Sequence, residues 1–156
     1  MENRKIFEIV DAVTAYAVSH DFAGYSKYDG LSSPILSTLS LNNSWLRLLF
    51  IQAVMRFPVN IRPLLRIKTS RNPKGIALFA RGYLLLYAAT NNGYYKALAE
   101  EALDWLTTHH SNQNNNFSGY CWGYNFIWQS PFFHAPKYSP NITVTVFAGE
   151  AFMLGY

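Results

Sequence analysis

Apolar residues recur at helical spacing at the start of the chain. Ile6, Val10, Val13 and Ala17 form one stripe, widened by Phe7 and Ile9, and the pattern predicts a helix over residues 3–18. The pattern then breaks. Residues 19–41 contain Gly24, Gly30, Pro34 and the turn formers Ser32 and Ser33, and read as an irregular connection. Packed domains keep most loops short, so a connection of this length points to function.

Asn42, Asn43 or Ser44 can cap a second helix running to about Phe57, where Pro58 stops it, because the residue before a proline avoids the helical region. Residues 58–72 form a second loop containing Pro63 and several basic residues. Asn72-Pro73 then supplies a cap followed by proline at the first helical position, where its missing N–H costs nothing. The third helix, 73–90, is apolar nearly all round except for Lys74 and Arg81, and so must be buried on several sides.

Asn91-Asn92-Gly93 is a tight break before a fourth, amphipathic helix over 94–109. Tyr95, Leu98, Ala102 and Trp105 line its apolar face, with Lys96, Glu100, Glu101 and Asp104 elsewhere. So short a link predicts antiparallel packing of the third and fourth helices. Asn112 to Asn116 is polar and opens a long aromatic segment. Ser139-Pro140 repeats the cap-then-proline signal. The element that follows alternates Ile142, Val144 and Val146 with threonines as a strand would, but its cap and its Ala148–Leu154 composition favour a helix over 140–156. These elements predict one all-α domain, residues 1–156, of antiparallel helical hairpins joined by long loops.

Composition adds two constraints. Half of the 156 residues are hydrophobic (50%) and only 14% are charged, against about 25% in a typical soluble domain, so the chain must bury most of its apolar surface or share it with a partner. The net charge of +4 is unevenly placed: no Asp or Glu lies between Asp29 and Glu100, an interval that holds Arg47, Arg56, Arg62, Arg66, Lys68, Arg71, Lys74, Arg81 and Lys96. Such a stretch either solvates loops and helix ends or favours an anionic partner, such as a phosphate, an acidic sugar or an anionic membrane surface. Its cations are interleaved with Pro, Leu and Ile rather than forming a continuous basic helix face, which argues against nucleic acid. The start, MENRKIFEIVDAV, lacks the apolar run of a signal peptide, and no stretch approaches the roughly 20 apolar residues of a membrane span. A cytoplasmic protein, peripheral to a membrane at most, is expected.

The aromatic segment carries the candidate chemistry. Tyr120, Trp122, Tyr124, Phe126 and Trp128 occupy every second position, so an extended backbone would place five rings on one face, with Asn125 and Gln129 on the other. Such a wall either seals a core between helices or stacks on a ligand whose C–H faces suit aromatic rings, as those of a sugar do. Carboxylates are scarce. Asp29, in a glycine-flanked loop, is the weak catalytic candidate; alternatively it is a turn residue bonded to its own backbone. Glycoside hydrolysis needs two carboxyl groups about 5–10 Å apart, and Glu150 is the other candidate. The single cysteine, Cys121, forms no internal disulfide, and His20, His109, His110 and His134 show no metal-ligand spacing. No metal or cofactor is expected. Arg62, Arg66, Lys68 and Arg71 offer forked hydrogen bonds to a diphosphate or uronate.

Several segments occur together in one order: Tyr28-Asp29-Gly30-Leu31-Ser32-Ser33-Pro34, Arg62-Pro63-Leu64-Leu65, Asn72-Pro73-Lys74-Gly75, and Gly119-Tyr120-Cys121-Trp122-Gly123-Tyr124 through Trp128-Gln129-Ser130. Jointly they resemble a bacterial family encoded in polysaccharide-biosynthesis and glycosylation clusters, similar in turn to the (α/α)6 toroids of six-hairpin glycosidases and terpenoid-cyclase-like proteins. The resemblance spans most of the chain. It implies a cavity that processes or binds a glycan or lipid-linked glycan, lined by Trp122, Tyr124, Trp128 and Gln129, with Arg66 as a substrate contact and Asp29 at the rim. A complete ring needs about a dozen helices. This chain supplies about five and breaks off within the apolar Phe152-Met153-Leu154, so the resemblance implies an N-terminal portion of a toroid. The family pattern carries an acidic residue before the Trp and an Arg after the Ser, where this chain has Ile127 and Pro131. Tyr120-Cys121-Trp122-Gly123 also resembles the Cys-bearing turn of zinc-dependent lanthionine cyclases, which are α-toroids too. A non-catalytic binding fragment is the remaining alternative.

Overall fold

The computed structural model describes residues 2–113 and 116–156, with the backbone alone for residues 2–4. Asn114 and Asn115, in the polar turn that opens the aromatic segment, lie outside the described residues. Six α-helices occur among those described: α1 (Glu2–Ser19), α2 (Pro34–Leu39), α3 (Ser44–Arg56), α4 (Pro73–Thr90), α5 (Gly93–Thr108) and α6 (Ile142–Gly155). The all-α character expected from the periodicity is present. Two antiparallel two-residue pairings interrupt it: β1 (Ala23–Gly24) with β2 (Ser70–Arg71), and β3 (Trp128–Gln129) with β4 (His134–Ala135).

The caps explain where the helices start. Asn43 accepts from the N–H groups of Trp45 and Leu46, Asn72 from Lys74 and Asn92 from Tyr94, each satisfying donors that have no partner within the helix. Pro73 sits at the first position of α4, as expected. For α6 the cap is Asn141 and not Ser139: Asn141 accepts from Val144 N–H, while its own N–H donates to Trp122 O. That second bond keeps the chain extended for two residues beyond the expected start. The 19–41 connection also holds more structure than its glycines and prolines indicate. A 3-10 turn at Asp29–Ser32 leads into α2, which Ser33 caps and Pro34 begins. At six residues, α2 is too short to show helical periodicity in sequence.

The core lies where α4 meets α5 and α6. Ile76, Ala77, Ala80, Ala102, Leu106, Val144, Ala148 and Ala151 pack with Trp122 in one buried cluster. Tyr83, Tyr95, Leu98 and Ala99 form a second. The many alanines let α4 pack closely on both α5 and α6, but its fully buried residues, Pro73, Ile76, Ala77, Ala80 and Tyr83, share one arc and Leu78 and Leu85 stay exposed, so α4 is less enclosed than its all-round apolar sequence predicts. Helix α1 differs from expectation. Thr14 and Ala17 are buried and Val10 is half-buried, while Ile6, Ile9 and Val13 stay exposed. The buried edge of α1 is therefore a narrow one, rotated away from the widest apolar stripe. Tyr95 of α5 fastens the helix by donating from its hydroxyl to Asp11 at 2.7 Å.

Among the described residues, four cations of the acid-free interval pair with carboxylates from outside it. Arg62 pairs with Asp29, Arg71 with Asp21 and Glu101, Arg81 with Glu150, and Lys96 with Glu100. Charges that looked one-sided in sequence thus act as fasteners between segments. Arg71 does most: its Nε donates to Asp21 O at 2.8 Å, and its guanidinium lies over the rings of Phe22 and Trp105, tying the end of α1 to α5. At that end Asp21 N–H bonds Val18 O and Phe22 N–H bonds Ala17 O, the closure of a helix by a left-handed residue, and Asp21 has φ 54°.

Candidate aromatic ligand site

The five alternating rings do not form one wall. Tyr120 and Trp122 stack at 6.2 Å, and Tyr124 and Phe126 stack at 5.0 Å, but the two pairs serve different places. The backbone explains the division. Gly123 lies against Ser139: a Cβ built on Gly123 would lie 2.7 Å from the Ser139 carbonyl carbon and overlap its oxygen. On either side of that crossing the two strands of chain are bonded, Asn141 N–H to Trp122 O at 2.9 Å and Tyr138 N–H to Tyr124 O at 2.7 Å. Residues 124–138 are thereby closed off as a loop, which packs back on α3 through β3 and on β2 through Asn125.

Below the crossing, Trp122 belongs to the core. It is 5% exposed, its indole N–H donates to Leu106 O at 3.0 Å, and its backbone N–H donates to Thr145 Oγ1. The expected placement of Trp122 in a shared ligand cavity is therefore corrected: its only polar side-chain atom is spent on α5. Neighbouring Cys121 is part-buried, and burial raises its thiol pKa, which keeps it protonated at neutral pH. Among the described residues, no three His, Cys, Asp or Glu side chains group as metal ligands would.

Above the crossing, Tyr124, Phe126 and Trp128 form a ridge with a cleft on each side, and all three line both clefts, with Phe126 buried (7% exposed) and Trp128 the outer ring (41%). The first cleft has a volume of about 440 Å³. Phe22, Tyr25, Tyr28 and Phe79 wall it, and Ser26, Lys27, Ser70 and Asn72 supply polar groups. The second, of about 480 Å³, is completed by Phe133, His134, Pro136, Ser139 and Asn141. Both volumes fall within the range of small-molecule sites, and both show the mix of apolar walls with a few polar groups such sites need. Tyr28 braces the ridge, meeting Trp128 edge-on at 5.1 Å and Phe126 at 6.0 Å. Sequence reasoning placed Tyr28 in a motif but missed it, with Phe22, Tyr25, Lys27, Phe79 and His134, as site residues. The GYSKY run, with two rings around a lysine in an irregular loop, was the available signal.

Other expected residues fall elsewhere. Asn125 is buried and structural: it accepts from Ser26 Oγ at 3.2 Å and donates to Ser70 Oγ at 2.7 Å, holding the 23–26 and 70–71 segments beneath the ridge. Gln129 is 8% exposed, and its Nε2 donates to Ser130 O and Phe133 O, shaping the turn between β3 and β4. Its Oε1 is buried with no protein partner. Arg66 has φ 57°, with its N–H bonded to Pro63 O and the next N–H, of Ile67, bonded to Arg62 O. It closes a helical turn in the 58–72 loop, with its side chain exposed and outside the linings of both clefts.

Asp29 follows the turn-residue alternative, with a remote partner added. It is 4% exposed, not at a cavity rim. Arg62 Nε donates to both of its oxygens, at 2.9 and 3.1 Å, and Ser26 N–H donates to Oδ2 at 3.0 Å. Gly30 beside it packs so closely on α3 that an added Cβ would lie 3.1 Å from Ile51 Cα, so the turn carries Asp29 inward. Glu150 pairs with a different arginine, Arg81.

The electrostatics of the two clefts differ. The first has Lys27 in its lining and no carboxylate; the Lys27 ammonium lies 5.7 Å from the centroid of the Tyr28 ring. In the second lies His134, an exposed imidazole whose pKa is lowered by partial desolvation and by the nearby positive charge of Arg47.

Comparison with family models, with curated proteins and with solved structures finds no match to this chain.

Proposed function

We propose that this chain binds glycans across the Tyr124–Phe126–Trp128 ridge, as part of a helical toroid working in bacterial surface-polysaccharide or glycoconjugate assembly. The observation that carries the reading is the ridge itself: three aromatic rings shared by two ligand-sized clefts with polar groups along their edges. Sugars stack their C–H faces on such rings and bond their hydroxyls to neighbouring polar side chains, and a ridge with two flanks suits an oligosaccharide longer than one residue.

Binding is favoured over processing by the carboxylates. Hydrolysis of a glycosidic bond needs two of them at the scissile bond. No Asp or Glu lines either cleft among the described residues, and Asp29 and Glu150 are each held by an arginine. Ile127 and Pro131, standing where the resembled family carries an acid and an Arg, agree with this.

The toroid rests on two supports. One is the packing of α4 against α5 across a two-residue link. The other is the exposed apolar face of α1 at Ile6, Ile9 and Val13, which further helices of a ring would cover. A cytoplasmic protein touching lipid-linked glycans at a membrane surface fits the net charge of +4 and the exposed Arg56, Arg66 and Lys68. No described helix is long and apolar enough to cross a membrane.

A glycan array probed with the full chain tests the reading. Trp128→Ala is expected to weaken every positive signal by about tenfold, the equivalent of one lost stacking contact. A blank array, or binding unchanged in the variant, overturns it.

A further inference from the structure

The first flank of the ridge carries a charge that neutral-glycan binding does not require. Lys27 is the one charged side chain in the lining of the first cleft. Its ammonium is exposed beside the Tyr28 ring, so it meets a ligand stacked there. The nearest carboxylate in sequence, Asp29, is turned away, with both oxygens engaged by Arg62 and Ser26 N–H, and so does not neutralise it. The polar groups around it, Ser26, Ser70 and Asn72, are short and uncharged.

Resting on the glycan-binding reading above, we infer that the first cleft selects an acidic sugar, with the carboxylate of a uronic-acid residue set against Lys27 while its ring sits in the angle between Tyr28 and Trp128, whose planes meet at 71°. An ion pair at an exposed lysine is worth a few-fold in affinity and is screened by salt, so this contact sets selectivity while the rings supply most of the binding.

The test compares tetragalacturonate with its fully methyl-esterified form, which keeps the backbone and removes the charge, by calorimetry on the full chain at low salt. The free acid is expected to bind roughly three- to fivefold more tightly than the ester. That preference is expected to fall to parity in Lys27→Gln and in 0.5 M salt, and to persist in Arg56→Gln, which lowers the net charge equally at a position outside both clefts. Equal binding of acid and ester, or a preference that survives Lys27→Gln, overturns the inference and leaves glycan binding standing. Binding of neither form, with neutral glycans positive on the array, also overturns the inference alone; a blank array removes the glycan-binding reading with it.

Discussion

Arg62 holds Asp29 by a forked contact, Nε to Oδ1 at 2.9 Å and to Oδ2 at 3.1 Å, with the two side chains 17% and 6% exposed. The pair closes the first long connection onto the second, across 33 positions of sequence. Removing one member strands the other charge in a largely dry site, which costs far more than the pair itself contributes. Asp29→Asn is expected to lower the unfolding free energy by on the order of 3 kcal/mol. The double variant Asp29→Asn/Arg62→Met should recover part of that loss. Urea denaturation of the three proteins measures it. A fully stable Asp29→Asn would return Asp29 to the role of a presented, functional carboxylate.

The crossing of Gly123 over Ser139 sets a second expectation. The demand is for space rather than for a left-handed backbone, since Gly123 has no positive φ. Gly123→Ala must push apart two backbone segments joined by the bonds from Asn141 and Tyr138. The cost should exceed the roughly 1–3 kcal/mol of ordinary overpacking, because backbone yields less readily than a side chain. Gly82, where an added Cβ meets nothing within 4 Å, is the matched control in mid-helix, and Gly82→Ala should be neutral or stabilising. Thermal melts of the two variants discriminate: similar melting temperatures would mean the crossing opens easily.

Trp122 and Trp128, six positions apart and both expected in one wall, should respond oppositely to substitution. Trp122→Ala loses the bond to Leu106 O and a whole core side chain, and should cost about 3–5 kcal/mol of stability without touching either cleft. Trp128 is 41% exposed and meets Tyr28 edge-on, so Trp128→Ala should cost only about 1 kcal/mol of stability while removing the outer ring of the ridge. Chemical denaturation alongside glycan titration separates the two. Equal stability losses would mean that the ridge is core.

What was legible in sequence was local. The cap signals at Asn42–Ser44 and Asn72-Pro73, the Asn91-Asn92-Gly93 break and the apolar periodicity of α4 and α5 are short-range, and those helices stand where they point. The 3-10 turn, α2 and the two-residue pairings are too short to carry a period. The division of the aromatic segment was hidden for another reason. Alternation fixes which side chains share a face only while the backbone stays extended, and Gly123 meets Ser139 through a contact made sixteen residues along the chain. The remote partner of Asp29 was hidden for the same reason: the glycine-flanked loop reads as open in sequence, and Arg62 closes it. Lys27 and Tyr28 became site residues only because the 23–28 segment is pinned to β2 and to Asn125.

The two buried tyrosines of α4 and α5 give a prediction about pH. Tyr83 and Tyr95 are 3% and 4% exposed and stack with ring centroids 6.2 Å apart. Both pKa values are raised above the ordinary 10.0, that of Tyr83 chiefly by burial and that of Tyr95 chiefly by the hydrogen bond its hydroxyl donates to Asp11, with burial adding to it. The folded chain therefore holds these two protons more tightly than the unfolded chain does. The associated stability is fully present below pH 10 and is lost as pH rises through the folded values. Urea unfolding should show a flat contribution from pH 7 to 9 and a falling one above about pH 10. Tyr95→Phe removes one titrating group and one bond. It should lower stability at pH 7 by about 1 kcal/mol, with α1 loosened because the Asp11 contact is gone, and it should make the alkaline decline shallower. Identical slopes for Tyr95→Phe and the parent above pH 10 would show that the Asp11 bond does not hold the proton, and would remove this contact as the fastener of α1.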